Sequence, residues 1–235
     1  DSNERFLLGN MIITHNSRLS GGKDAASPRY IYTNLTPMSK RLFMTEDNNI
    51  LKYLEDDGQS VEPEYFVPTL PMVLVNGCNG IGTGFSTFIP SYNPKDLSEI
   101  LLKLLNGEII DSVDIQPYFN GFKGSIVEAS PGVFDTIGVY TRMTTTKVLI
   151  SELPIGTWVS PYKEFLEGLI TNTKTDNGIL KDVINDTKDE NDDIRFVIEF
   201  KTKEQLDSLI NNNEIVKVLK LSKRLSTHNM YLFNS

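Results

Sequence analysis

Glycine and proline limit how long any regular element in this chain can run. Sixteen glycines and eleven prolines fall among its 235 residues, and they cut the apolar residues into short stretches. The most apolar of these, Tyr65 to Val75, is interrupted at Pro68 and Pro71. It is too short and too broken to span a bilayer, which takes about 20 consecutive apolar residues, so no membrane partner is expected. Short strands, short helices and loops remain, which is an α+β chain. At this length it suits one large domain or two modest ones, with ample material for a core.

Local signals place some of those elements. The chain to about Leu35 reads as loop-rich, with Gly21-Gly22 and Pro28, and Tyr30 to Phe43 fits neither period clearly. Glu62-Pro63 and Val67 to Pro71 should be extended, because residues before proline avoid the helical region. Met72 to Val75, between Pro71 and a glycine-rich stretch, reads as a buried strand. The clearest helix runs from Pro94 to Asn106. Asn93 is a good N-cap, Pro94 fits the first helical position and Gly107 supplies a stop. Leu97, Ile100, Leu101, Leu104 and Leu105 recur at helical spacing and should face the core.

From Lys123 to Leu153 the pattern is β-rich, as in Gly124 to Val127 and Lys147 to Ile150. Ser160-Pro161 opens a helix through about Leu169, with Trp158 as a core anchor before it. Thr173 to Asp193 is polar and reads as mobile surface. Arg195 to Phe200 alternates as a strand, Thr202 caps a helix from Lys203 to Ile210, and Val216 to Leu221 alternates again.

Charge argues in two directions. The chain carries 23 basic and 31 acidic residues, a net charge of −8, which by itself disfavours nucleic-acid binding. Between Arg18 and Arg41, however, Arg18, Lys23, Arg29, Lys40 and Arg41 face only Asp24, five positives against one negative. Acid gathers elsewhere, at Glu55-Asp56-Asp57 and from Asp186 to Asp193. The basic cluster suits a phosphate-contacting surface; it is also what a solvated face produces by chance. With one cysteine, Cys78, and two histidines, an internal disulfide framework is ruled out, and a zinc site of the usual four ligands could not be completed without carboxylates. No residue is nominated as a metal ligand. The polar, acidic start shows no signal or transit pattern.

Nucleotide and metal motifs fail on inspection. Gly77 to Gly84 lacks the Gly-Lys pair of a phosphate-binding Walker loop, and a dinucleotide fingerprint would need glycine where Phe85 stands. The acidic run Asp189 to Asp193 lacks the central glycine of a calcium loop. His15 and His228 sit in no nucleophile motif. Motifs alone leave the chemistry open.

Longer blocks are informative. Arg18-Leu19-Ser20-Gly21-Gly22-Lys23-Asp24-Ala25-Ala26-Ser27-Pro28-Arg29-Tyr30-Ile31-Tyr32-Thr33 resembles the active-site tyrosine region of eukaryotic-type type IIA DNA topoisomerases. A second block runs from Val61 to Pro68, through Pro71 to Gly77, to Gly80-Ile81-Gly82-Thr83-Gly84-Phe85-Ser86 and Ile89-Pro90. A looser third is Ile150 to Pro154 with Thr157-Trp158 and Tyr162-Lys163-Glu164. The Gly-Gly-Lys-Asp-Ala-Ala-Ser-Pro-Arg-Tyr wording favours the eukaryotic type, which some large DNA viruses share, over the bacterial gyrase type. Before Arg18 the likeness fades: Ile13-Thr14-His15-Asn16-Ser17 replaces the family's Gly-Gln-Phe-Gly-like run.

The resemblance implies the distal part of a winged-helix domain over residues 1–68, followed by an α/β tower domain over 69–235. It implies Tyr30 as the nucleophile that attacks a DNA phosphodiester and links to the 5′ phosphate. Arg29 would hold phosphate oxygens as charge builds on them. Arg18, Lys23 and Ser27 would contact the DNA backbone, and Ile81 would wedge between base pairs and bend the duplex. The implied partners are double-stranded DNA, a second copy in a homodimer, and Toprim and ATPase domains of the same polypeptide. Those domains, absent from this chain, would bind Mg2+ and ATP, so the fragment alone should not cleave DNA efficiently. A nuclear location follows, or host cytoplasm or virion for a viral source. The competing expectation is a non-catalytic DNA-bending module of the same fold.

Overall fold

A computed structural model of the chain describes residues 5–7, 13–15, 21, 36–109, 115–170, 178–187 and 193–232. It is α+β, as the short elements require. The chain divides into two compact units. One comprises Phe6–Thr14, Ala26–Phe119 and Asn229–Ser235; the other comprises Asp1–Arg5, His15–Ala25 and Asn120–His228. The strands β1 (Arg5–Leu7) and β2 (Ile13–His15) pair with each other.

In the first unit, α1 (Pro37–Leu42) makes a helix of the later part of the ambiguous stretch Tyr30 to Phe43, whose earlier part lies outside the described residues. The Thr36 side chain accepts a bond from the Ser39 N–H at 3.2 Å, and Pro37 occupies the first turn, the pairing that starts helices. The strands β3 (Tyr53–Asp56) and β4 (Gln59–Pro63) form a hairpin. Its turn is Asp57-Gly58, both at positive φ (49° and 74°), the backbone that a two-residue turn matched to strand twist needs. β4 bears out the expected extension before Pro63.

Met72 to Val75 corrects the expected buried strand. It is α2 (Met72–Asn76), a single turn whose apolar side chains are half-buried. The Leu74 and Val75 N–H groups donate back to the Pro71 carbonyl at 2.8 and 3.2 Å. A short apolar run carries no period by which strand and helix can be told apart. Gly77, at φ +71, ends the turn and leads into β5 (Cys78–Ile81), which pairs with β6 (Ser86–Ile89). A Cβ at Gly77 would lie 2.7 Å from the Ile89 carbonyl oxygen, so the hairpin can start there only from glycine.

Next comes α3 (Pro94–Leu105), bearing out the expected helix; Asn93 accepts from the Lys95 N–H at 3.0 Å. The expected core stripe holds only in its first half. Leu97 is buried and Ile100 and Leu101 are half-buried, but Leu104 and Leu105 are 52% and 82% exposed. Helical spacing creates an apolar face; only neighbouring elements decide whether it is covered.

The second unit is built on two antiparallel sheets. The strands β7 (Ser125–Ser130) and β8 (Val133–Ile137) join β13 (Ser222–Ser226) in the order β13-β8-β7. The strands β9 (Val139–Arg142), β10 (Lys147–Glu152), β11 (Leu180–Asn185) and β12 (Phe196–Phe200) run in the order β11-β12-β10-β9. In β10 and β12 every second residue is buried, and the register sets Val148 opposite Ile198 and Ile150 opposite Phe196. Period-two alternation puts these on one face.

The helices α4 (Val159–Ile170), α5 (Lys203–Asn211) and α6 (Ile215–Val218) supply the rest of the core with Val159, Tyr162, Leu166, Leu206 and Ile215. Each such side chain contributes roughly 1.5–3 kcal/mol by leaving water. Tyr162 donates to the Leu219 carbonyl at 2.7 Å, and its ring meets Phe196 edge-on at 5.4 Å. Burial pushes this phenol's pKa up, so it remains a neutral donor. The Thr202 cap of α5 accepts the Gln205 N–H at 3.2 Å, as expected.

Two further readings change. Thr173 to Asp193 reads from its polarity as mobile surface, yet it contains β11, whose Leu180 is fully buried; the remainder of the stretch lies partly outside the described residues. Val216 to Leu221 forms a helical turn and a reversal at Lys220 (φ 49°), with Ile215 and Leu219 buried at i, i+4 spacing. Trp158 is half-buried at the end of the turn before α4.

Candidate nucleic-acid interface

The β5–β6 hairpin is the most distinctive surface feature among the described residues. Its register, Cys78 opposite Ile89 through Ile81 opposite Ser86, continues to the tip. There the Gly82 N–H donates to the Phe85 carbonyl at 2.8 Å, and Gly84 takes φ +80. Ile81 is 88% exposed and Phe85 is 85% exposed. By strand alternation Ile81 shares a face with its partner Ser86, while Phe85, opposite Gly82, lies on the other. The tip therefore carries two bare apolar side chains, one on each face.

Charge is absent from this region. No Asp, Glu, Lys or Arg occurs between Glu64 and Lys95. A neutral tip can approach stacked bases without giving up the hydration of an ion, the costliest group to desolvate. Gly80 and Gly82 flank Ile81 with nothing larger than hydrogen, so the backbone itself can come close to a ligand.

The hairpin's base is fastened by residues far along the chain. The Phe88 N–H donates to the Asn229 carbonyl at 2.8 Å. The Thr87 hydroxyl donates to the Tyr231 carbonyl at 2.8 Å and accepts the Tyr231 N–H at 3.0 Å. Asn229 Nδ2 donates to Ser86 Oγ at 3.0 Å, and the Tyr92 hydroxyl donates to Met230 Sδ at 3.6 Å. Ile89 and Tyr92 are buried at the root. This clamp over residues 229–231 is invisible in the sequence, because nothing local ties Thr87 to a segment over 140 positions away. In the sequence Phe85 stands out only as the residue that spoils a dinucleotide motif; its exposure is a tertiary fact.

Of the residues nominated from the sequence, Ile81 alone is among those described. Tyr30, Arg29, Arg18, Lys23 and Ser27 lie outside them. Gly21, within the basic segment, is described and adopts φ +65. Among the described residues, no three His, Cys, Asp or Glu side chains come together as a metal site. No described helix is long and apolar enough to cross a membrane.

Comparison with known proteins identifies the surroundings of this hairpin. The profile of the DNA gyrase/topoisomerase IV A-subunit family matches residues 14–235. The DNA topoisomerase 2 of Pisum sativum is 41% identical over 217 residues, covering 92% of this chain and 14% of that protein. The DNA topoisomerase 2 of Plasmodium falciparum is 39% identical over 218 residues, covering 93% of this chain and 15% of that protein. The chain thus spans about one seventh of the length of these relatives. In three dimensions it is similar to the crystal structure of the Plasmodium falciparum topoisomerase II DNA-binding, cleavage and re-ligation domain. That likeness has a TM-score of 0.82 at 39% identity, over 93% of this chain and 29% of the other.

Proposed function

This chain belongs to the DNA gyrase/topoisomerase IV A-subunit family, and from that premise we propose that it is the breakage-and-reunion portion of a eukaryotic-type type II DNA topoisomerase. The observation that carries the reading is the neutral hairpin tip, which holds Ile81 almost wholly in solvent on a clamped base. An exposed isoleucine between glycines has no role in a core. It does suit insertion at a base step, where an apolar wedge unstacks and kinks the duplex for a few kcal/mol, repaid by contacts that the bend allows.

In the proposed reaction the Tyr30 phenol oxygen attacks a backbone phosphorus. A bond forms from that oxygen to the 5′ phosphate, the bond from phosphorus to the 3′ oxygen breaks, and the phenol proton is replaced by one on the released 3′ hydroxyl. The ester conserves the energy of the broken link, so the reverse attack reseals the strand. Arg29 stabilises charge on the phosphate oxygens, while Arg18, Lys23 and Ser27 hold the DNA backbone. A phenol's pKa is about 10, so at neutral pH it requires such neighbours to react.

Two copies in a homodimer would cut both strands and pass a second duplex through the gap. Among the described residues no three His, Cys, Asp or Glu side chains gather to hold a metal ion. Mg2+ and ATP are assigned to Toprim and ATPase domains of the full-length polypeptide. Residues 1–68 are proposed as the end of the winged-helix domain and 69–235 as the tower domain. A nucleus is the proposed location, or host cytoplasm or virion for a viral source.

The test is relaxation of supercoiled plasmid by the full-length enzyme with Mg2+ and ATP, comparing wild type with Tyr30→Phe. Wild type should relax the plasmid and yield a covalent protein–DNA adduct, and the variant should do neither. Equal adduct from both would remove Tyr30 from its role. Binding and bending with no adduct from either would favour a non-catalytic DNA-bending module.

A further inference from the structure

The strand that carries Ile81 is poorly equipped to hold it still. Glycine stands at 77, 80, 82 and 84, and no residue loses more backbone freedom on being ordered. Of the four residues of β5, Cys78, Asn79 and Ile81 are exposed and Gly80 is half-buried. Two isolated strands are marginal in water, so the stiffness of this pair has to enter from outside it.

It enters beside the wedge. Gly80 pairs with Thr87 on the rung next to Ile81 and Ser86, about 3.4 Å along the strand. The Thr87 side chain works in two directions. Its methyl lies over Gly80, where a Cβ would meet Cγ2 at 3.4 Å. Its hydroxyl donates to the Tyr231 carbonyl at 2.8 Å and accepts the Tyr231 N–H at 3.0 Å. Ser86, directly across from Ile81, lies on the opposite face of β6 by strand alternation, and Asn229 Nδ2 donates to its hydroxyl at 3.0 Å. Residues 229–231 therefore grip both faces of β6 at the last two paired rungs before the tip. The Phe88 N–H, bonded to the Asn229 carbonyl at 2.8 Å, adds a third hold. All of these residues belong to one compact unit.

We propose that Thr87 and Asn229 are positioning residues for DNA bending: with the backbone of residues 229–231 they hold Ile81 in the attitude that enters a base step. A duplex resists being kinked, and an inserted side chain carries that resistance back into its own backbone. A hairpin free to swing would yield and leave the duplex straight. One fastened in advance also loses less entropy on binding. This role rests on the reading of Ile81 as the wedge. It goes beyond that reading by naming the residues that aim the side chain, two of them 144 positions apart in the sequence.

The experiment follows a duplex with dyes at its two ends, bound to the full-length enzyme, together with cleavage in Mg2+ and the salt dependence of binding. Thr87→Val keeps the branched shape and the methyl over Gly80 and removes the hydroxyl alone. It should lower the ratio of bent to straight duplex about tenfold, the scale of losing two hydrogen bonds of modest strength, and lower cleavage with it. The slope of log affinity against log salt should stay as in wild type, because no phosphate contact is removed. Thr87→Ser, which restores the hydroxyl without the methyl, should recover most of the bending. Asn229→Ala should lower the ratio about threefold. Added to Ile81→Ala, Thr87→Val should lower cleavage no further.

Wild-type bending in both Thr87→Val and Asn229→Ala overturns the proposal, whatever happens to melting temperature. If Thr87→Val fails to fold, wild-type bending in Asn229→Ala overturns it alone. A further loss of cleavage when Thr87→Val joins Ile81→Ala overturns it too, since the hydroxyl would then act apart from the wedge. Ile81→Ala separates the two levels. If that variant bends DNA as wild type does, the wedge reading falls and the proposal with it. If it loses bending while Thr87→Val and Asn229→Ala keep it, only the positioning falls.

Discussion

A side chain as exposed as Ile81 contributes little to folding, because it leaves almost no water behind in the native state. At the root of the same hairpin, Ile89 on β6 is 2% exposed and belongs to a different energetic class. Ile81→Ala should therefore shift stability by less than about 0.5 kcal/mol, the range of ordinary surface changes. Ile89→Ala should cost about 2–5 kcal/mol. Thermal melting of the full-length enzyme reads that contrast. The functional effect should be reversed: Ile81→Ala should reduce DNA bending, followed by the distance between end-labelled dyes on a duplex, and should lower cleavage with it. Wild-type bending by Ile81→Ala would assign the wedge elsewhere, with Phe85 the next residue to test on the opposite face of the tip.

At the level of elements, α3 separates what periodicity promises from what packing delivers. Its stripe repeats at helical spacing, yet Leu97 is 3% exposed while Leu105 is 82% exposed. Leu97→Ala should cost about 2–5 kcal/mol, and Leu105→Ser should cost less than about 0.5 kcal/mol, both read by denaturant midpoints at unchanged slope. A large loss from Leu105→Ser would mean that the C-terminal half of α3 is covered in the full-length protein. The β5–β6 hairpin makes a related point. Two strands alone are marginal in water, and this pair gains its footing from the Thr87, Asn229 and Tyr231 bonds, outside its own sequence.

For the molecule as a whole, acid sensitivity follows from exposed ion pairs. The Lys181 ammonium, with help from Lys147, holds the Glu199 carboxyl below its usual value. Arg224, by a side-chain hydrogen bond at 2.9 Å, does the same to Asp135, and Lys123 does so to Asp193. Each of these folded-state pKa values lies below the unfolded one. Their stabilisation is then fully present above the unfolded carboxylate range near pH 4, and it is lost as pH falls through the lower folded values. Melting temperature should stay level from pH 7 to about 5 and decline below about 4. Because the pairs are open to solvent, 1 M salt should shrink the part of the decline they cause. An acid limb indifferent to salt and to Glu199→Gln would show that other groups govern it.

Sequence alone determined what depends on neighbours a few residues apart. The caps Asn93 and Thr202 start α3 and α5 because a side-chain oxygen reaches the N–H groups of its own first turn. The alternation in β10 and β12 fixes which residues can share a buried face. The block around Tyr30 carried the family, although Tyr30, Arg29, Arg18, Lys23 and Ser27 lie outside the described residues. Tertiary structure decided what depends on distant partners. Whether Met72 to Val75 coils or extends could not be read from a run with no period. Burial of Leu180 within a polar stretch, and exposure of Leu104 and Leu105 within an apolar stripe, depend on what packs alongside. So does the clamp at Thr87, since a contact across more than a hundred residues leaves no local pattern in the chain that makes it.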